Sequence, residues 1–324
     1  MLRRALVFFL LVSYGCADSG PVGPTTIRRD VAAPANAAGI VAGTTLSIVS
    51  GETGQPVTGA LVTVAGQEHV SDGSGHVTLE QLAPNGATVA VEAPGFLERR
   101  TVVRRGEQTV FELWPSTSPT GMTSEYTRAL VYASASIEDE GMLEPMDRPA
   151  LDNPHVAIEP SDAIRRDALA MQRLEDAASR ITEALGGAFT YRVGANPSAV
   201  PVTLTVEPEN PQITEENLRA FARCFRSRLQ ITRCEIVFRS VEVVRSDTTL
   251  HELGHTFGLN HSPDPREVMG VRRVAAPGRF SPRESLAMRL MMKRRPGNLF
   301  PDDGRQAPSL RALGETGVIV CRHP

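Results

Sequence analysis

From about Gly39 to Trp114 the chain alternates apolar with polar residues in short runs: Leu46-Ser47-Ile48, Ala60 to Val64, His76 to Leu79, Thr88 to Val91 and Thr109 to Leu113. A period of two puts successive side chains on opposite faces of an extended chain, so each run predicts a half-buried strand. Turn formers separate them: Gly51-Glu52-Thr53-Gly54, Ser71-Asp72-Gly73-Ser74-Gly75, Pro84-Asn85-Gly86 and Pro94-Gly95. Strands at this spacing predict a small antiparallel β-sandwich over residues 38–114. Residues 115–121, Pro115-Ser116-Thr117-Ser118-Pro119-Thr120-Gly121, have the composition of a linker.

A second domain is expected over residues 122–300, where the apolar spacing lengthens. Tyr126 to Ala135 predicts its first strand, and the acid- and proline-rich stretch Ser136 to Pro160 predicts loop. Ile164, Ala168, Met171, Leu174, Ala178, Ile181 and Leu185 recur every three or four residues, which predicts one amphipathic helix from Asp162 to Leu185. Ser161 stands as its N-cap and Gly186-Gly187 as its stop. Ala188 to Val193 and Val200 to Val206 alternate as strands. Thr214, followed by two acids, opens a predicted helix with Leu218, Phe221, Phe225 and Leu229 as its buried stripe.

Glu235 to Val244 predicts the next strand, turned by Arg245-Ser246-Asp247 into a helix anchored by Leu250, Leu253 and Phe257 and capped by Ser246 or Asp247. Ser281-Pro282-Arg283-Glu284 is a capping box that opens a last helix with Leu286, Leu290 and Met291 inward. Lys293-Arg294-Arg295 closes that helix as solvated partners of its dipole. The tail, residues 301–324, carries no pattern that predicts an element. The class is α+β: a sheet backed by a helix on one face, preceded by a small all-β sandwich.

The amino terminus changes the compartment. Met1-Leu2-Arg3-Arg4 precedes an apolar run from Ala5 to Val12, a basic-then-apolar order that predicts an export signal over residues 1–16. The run is too short to stay in a bilayer as a spanning helix. Cys16 after Gly15 resembles the lipid-attachment site of bacterial lipoproteins, with plain cleavage as the alternative. Residues 17–37, rich in Pro, Ala, Gly and Thr, predict a flexible tether. The expected location is the bacterial cell envelope through a lipid on Cys16, or the extracellular medium, with that anchor as the only membrane contact. Such compartments permit disulfides. Cys224 and Cys234 are the favoured pair because they lie close in sequence, and Cys321 is able to replace either. A net charge of -3 excludes the basic face that a nucleic-acid partner requires.

The candidate chemistry lies in His251-Glu252-Leu253-Gly254-His255-Thr256-Phe257-Gly258-Leu259-Asn260-His261. Residues four apart share a helix face, so His251 and His255 offer two imidazoles to one ion. Gly258 tolerates the left-handed conformation that ends a helix and lets His261 return as a third ligand. Three protein ligands leave a coordination position open, as catalytic zinc sites do, and Glu252 then stands as general base for a water.

The pattern HExxHxxGxxH, followed by Ser262 and by Met269 eight residues after His261, resembles the metzincin clan of zinc peptidases and within it the matrixins. The close resemblance covers about 20 residues. Neither the calcium loops nor the cysteine-bearing propeptide of animal matrixins has an equivalent, and Val271 occupies the place where some other metzincins carry tyrosine. The resemblance implies one catalytic Zn2+, a methionine turn at Met269 beneath it, a peptide or protein substrate, and an extended substrate pairing with an edge strand upstream of the zinc helix. Taken alone, Met269 is an ordinary core methionine. The order Thr53-Gly54-Gln55-Pro56-Val57 to Gly59-Ala60, Asp72-Gly73-Ser74-Gly75 and Pro94-Gly95-Phe96 resembles carboxypeptidase regulatory-like domains. That domain carries no nucleophile or metal cluster and is expected to act as a spacer. The expected activity is that of a zinc metalloendopeptidase. The alternatives are an inactive surface-binding or adhesion lipoprotein on the same fold, and a zinc amidase acting on cell-wall peptides.

Overall fold

The amino-terminal alternation folds as seven strands, β1 (Thr45–Ser50), β2 (Leu61–Val64), β3 (Gln67–Val70), β4 (His76–Thr78), β5 (Ala87–Glu92), β6 (Arg99–Val103) and β7 (Val110–Leu113). The computed structural model describes residues 43–81, 83, 87–103, 109–117, 120–133, 144–145, 148–149, 154–215, 217–227, 230–270, 277–293 and 316–323. The expected export signal, Cys16, the tether, Val271 and Arg294-Arg295 lie outside them. One sheet has the order β4-β1-β7 and the other β3-β2-β5-β6, and a core of Leu46, Ile48, Val62, Val89, Val91 and Phe111 lies between them. The expectation of an all-antiparallel sandwich is corrected, because β1 and β7 run parallel. β3 and β6 were not expected. Both are edge strands, and β3 is largely exposed on both faces, so no alternation marks it.

The second part begins with a helix, α1 (Ser124–Val131), where a strand from Tyr126 was expected. Tyr126 and Leu130, four apart, are both buried, which is a helical and not an extended spacing. Two short pieces follow, β8 (Tyr132–Ala133) and β9 (Glu144–Pro145), which pair with each other, and then β10 (Arg148–Pro149). β11 (His155–Pro160) lies inside the expected loop, and its Val156, Ala157 and Ile158 are all buried because the strand is covered on both faces.

The expected long helix is two. α2 (Asp162–Arg165) stops, and α3 (Ala168–Ala184) restarts with Asp167 accepting from Ala170 N at 2.8 Å. Ser161 precedes α2 without capping it through its side chain. Next come β12 (Thr190–Val193), β13 (Val200–Val206), α4 (Pro211–Glu215), β14 (Ala220–Ser227), β15 (Gln230–Phe238), α5 (Val241–Val244), α6 (Thr248–Phe257), α7 (Pro282–Met292) and β16 (Thr316–His323).

Three more expectations are corrected here. The segment from Thr214 is a short helix and then strand β14: Phe221 packs with Ile213, Leu218 and Val237, while Ala220, Ala222 and Cys224 enter the main core on the other face. Burial on both sides gave helix-like spacing to a strand. The strand expected from Glu235 to Val244 starts at Gln230, ends at Phe238 and gives way to α5. The tail, expected to be featureless, ends in β16.

The large sheet has the order β12-β11-β13-β15-β14-β16, with β10 added to β15. β11, β12, β13 and β15 run parallel to one another, and β14 runs antiparallel to both β15 and β16. α3 lays Leu174, Ala177, Ala178 and Ile181 into the same core as the strands and α6, so the helix carrying the histidines is held between α3 and the sheet.

The two parts are packed together within one unit, Ala38–Pro324. Trp114 is buried in the core of the second part beside partly buried Leu97, while its neighbour Leu113 belongs to the core of the sandwich. The expected linker is anchored: Phe96 bridges to Pro115, and Met122 N donates to Pro115 O at 2.8 Å. Lys293, expected to be a solvated dipole partner, pairs with the Glu112 carboxylate of β7. Its side chain is 50% exposed, so that pair contributes at most about 1 kcal/mol. Burial of the indole is the larger effect. Trp114→Ala is expected to destabilise the unit by about 3–5 kcal/mol, read as a lowered midpoint in denaturant by circular dichroism.

Candidate metal centre

α6 is buried along its whole length, so its residues are placed by packing on every side. Leu250, Leu253 and Phe257 enter the core, and Phe257 meets Phe189 edge to face with centroids 6.0 Å apart. At the start of the helix Asp247 stands at the N-cap without a side-chain cap bond, and Ser246 Oγ, one residue earlier, accepts from Thr248 N at 3.2 Å. At the end, Gly258 adopts φ 101°, where other residues are strained, and Leu259 N donates back to Gly254 O at 3.2 Å. The reversal carries the chain to Asn260, whose N–H donates to Leu130 O of α1 at 2.8 Å, and then to His261.

His251, His255 and His261 converge, with ligand atoms all within 4.8 Å of one another. His251 Nδ1 lies 2.6 Å from Val268 O and His255 Nδ1 lies 2.8 Å from Leu259 O. A carbonyl only accepts, so each Nδ1 carries a proton, and in the neutral ring Nε2 is the atom able to bind a cation. Those two nitrogens face each other at 3.1 Å. Two lone pairs at that distance repel unless a proton or a metal cation lies between them. Nitrogens at about 2.0–2.1 Å from a tetrahedral ion stand roughly 3.3 Å apart, close to the spacing found.

His261 Nε2 is buried and has no hydrogen-bond partner among the described residues. Burial pushes the His261 imidazole down to about 4, so it is neutral near pH 7 and able to act as a ligand. Such a donor set, three imidazoles with two oriented by backbone carbonyls, fits zinc. Glu252 is fully buried on the same helix, three residues before His255 and therefore on a neighbouring face position.

Beneath α6 lies Met269. A Cβ on Gly254 would come within 2.4 Å of its Sδ, so glycine at this position lets the thioether rest against the helix between the two ligands. The turn that bears Met269 is closed by Ser262 N donating to Met269 O at 2.8 Å.

A buried polar cluster holds that turn from below, and the motif gave no hint of it. Glu284, at the start of α7, accepts from Met269 N at 2.8 Å, from Val268 N at 3.4 Å and from Ser281 N at 2.7 Å. Glu267 accepts from Tyr126 OH at 2.9 Å, Ser262 Oγ at 2.5 Å, Ser281 Oγ at 2.8 Å and Arg283 Nε at 3.1 Å. The Arg283 guanidinium lies 3.7 Å from the centre of the Tyr126 ring. Burial, and then the nearby Glu267, pushes Glu284 up to about 7. The capping box Ser281 to Glu284 marked the helix start correctly, but the reach of Glu284 to Met269 joins residues 15 apart and leaves no local trace.

On the sheet side, Cys224 and Cys234 are joined by a disulfide between directly opposed residues of β14 and β15. Cys224, expected on a helix, is on a strand. Cys224 Sγ lies 3.8 Å from His255 O and Cys234 Sγ lies 4.0 Å from Thr256 O, so this cross-link seats the second ligand's turn on the sheet. Cys321 falls on β16 opposite Ala222. Among the described residues no helix is long and apolar enough to cross a membrane.

No protein-family model matches the chain, and no curated protein does. Among solved structures, one titled "Structure of CpGH84D" aligns over 34% of this chain and 18% of its own length, at 10% identity and a TM-score of 0.21. The chain thus spans less than a fifth of that protein, and a likeness at this level carries no argument about fold or function.

Proposed function

We propose that the chain is an exported zinc metalloendopeptidase of the metzincin, matrixin-like kind. The observation that carries this reading is the convergence of three imidazoles whose ligand atoms lie within 4.8 Å of one another, two of them oriented by carbonyls that engage Nδ1. His251, His255 and His261 would hold the metal. When bound, zinc supplies Lewis acidity, lowering the pKa of a coordinated water and polarising a carbonyl. Glu252 takes the proton from the attacking water and returns it to the leaving amine nitrogen. Gly254 and Met269 set the floor under the two helical ligands, and the Glu267 and Glu284 cluster keeps that floor in place. Substrate pairs as an extended strand with β14, the antiparallel strand whose Cys224 abuts the His255 carbonyl. The membrane is reached only through a lipid on Cys16.

The test is metal content read beside hydrolysis. Purified protein is expected to bind one zinc per chain, to cleave a fluorogenic peptide library, and to lose that activity to a chelator and regain it with zinc. Outer partners of a ligand contribute about 10–100-fold to affinity, so His261→Ala is expected to weaken zinc binding by more than about 100-fold. Zinc bound without hydrolysis of peptides would favour a binding module. Cleavage confined to cell-wall peptides would favour an amidase.

A further inference from the structure

The outermost strand of the large sheet is the chain's own carboxyl-terminal segment. β16 pairs antiparallel with β14 from Ala220↔His323 to Ser227↔Thr316, and among the described residues it has no strand on its other side. Without it, β14 would present a full row of unpaired N–H and C=O groups. Such an edge takes up extended peptides by adding them as a strand. The resident segment has the character of such a peptide: Val318, Ile319 and Val320 are β-branched and uncharged.

Geometry places this ladder beside the metal centre. Cys224, opposite Ile319, has its sulfur 3.8 Å from the carbonyl oxygen of His255. The Cα atoms of Cys224 and Cys234 are 4.1 Å apart, the short spacing of a pair that exchanges no backbone hydrogen bonds. The N–H and C=O of Cys224 therefore point away from β15 and toward β16. Ile319 is the residue that answers them, and Val318 and Val320 direct their own amides outward.

We propose that β16 is a resident occupant of the β14 edge to which the substrate strand is assigned above, and that an extended apolar peptide must displace it. This rests on the peptidase reading for its consequence, inhibition by the tail, but not for the occupancy itself. A tethered strand competes at an effective concentration on the order of millimolar, so the full chain is held in a low-activity state toward short peptides.

The test uses full-length chains with Glu252→Gln throughout, so that the probe survives. The probe is a fluorescent peptide of residues 316–323 with Cys321→Ser. Proline removes an N–H, so Ile319→Pro breaks the ladder to β14, whereas Val320→Pro loses only an outward amide that an edge strand does without. Ile319→Pro is expected to bind the probe at least ~10-fold more tightly than either the parent or Val320→Pro, with faster hydrogen exchange at residues 220–225 until the probe is added. With Glu252 restored, its kcat/KM on short peptides is expected to rise by a similar factor. Should Ile319→Pro lose its fold by circular dichroism, a chain ending at residue 315 takes its place. Equal affinity for the probe in all three proteins would overturn the proposal. Tighter binding without hydrolysis by any of them would uphold the occupied edge and remove the peptidase reading instead.

Discussion

Glu252→Gln is expected to keep its zinc and its thermal midpoint while kcat falls by about 10²–10⁴-fold, the range over which a positioned general base contributes. The side chain is completely buried in a helix whose every residue is buried, so a substitution of the same shape leaves the packing in place. The three imidazoles are also untouched, because two are oriented by the carbonyls of Val268 and Leu259 and not by this carboxylate. What changes is the capacity to accept a proton, which an amide lacks at neutral pH. Loss confined to kcat, with KM and zinc content near the parent's, is the signature of a group engaged in the transition state and not in binding. Activity within threefold of the parent would remove Glu252 from the mechanism and leave the metal alone to account for it.

The histidine cluster was legible because its geometry is local. His251 and His255 need only one turn of helix, and Gly258 needs only its own backbone to bring His261 round, so the spacing of 11 residues contains the site. The sandwich strands β1, β2, β4, β5 and β7 were legible for the same reason, since each has one wet face and alternates accordingly. Legibility failed where both faces are buried. β14 carries Phe221 into one core and Ala222 and Cys224 into another, and the sum of two apolar faces imitates a helical stripe. β11 was hidden by the acids and prolines that precede it, although Val156, Ala157 and Ile158 are as buried as any strand in the sheet. Contacts between distant segments left no trace at all. Nothing around Trp114 announces that it serves the core of the second part, and the β-branched run after Thr316 does not announce that its strand pairs with β14.

The same reason hides Glu284, for which the second large effect is expected. Its carboxylate is the acceptor for three N–H groups, of Val268, Met269 and Ser281, and it has no accessible surface. Each buried donor left without a partner costs about 1–3 kcal/mol, so Glu284→Ala is expected to lose on the order of 4 kcal/mol or more of stability. Zinc affinity should fall with it by about 10–100-fold, because Val268 also supplies the carbonyl that orients His251. The more conservative Glu284→Gln isolates the charge. Burial, and then Glu267, raises the native carboxyl to about 7 from its ordinary 4.5. Between those values the folded state binds more protons than the unfolded one, so this group's contribution is fully present below about pH 4.5 and is lost as pH rises through 7. At about 1.4 kcal/mol per unit the swing is roughly 3 kcal/mol. Denaturant midpoints of the chelator-treated parent and of Glu284→Gln, measured from pH 4.5 to 8, should show the parent falling relative to the variant by that amount; taking the difference cancels His261, whose lowered pKa runs the other way. A difference that stays flat across this range would mean that Glu284 is ionised throughout and that its three N–H donors outweigh its burial.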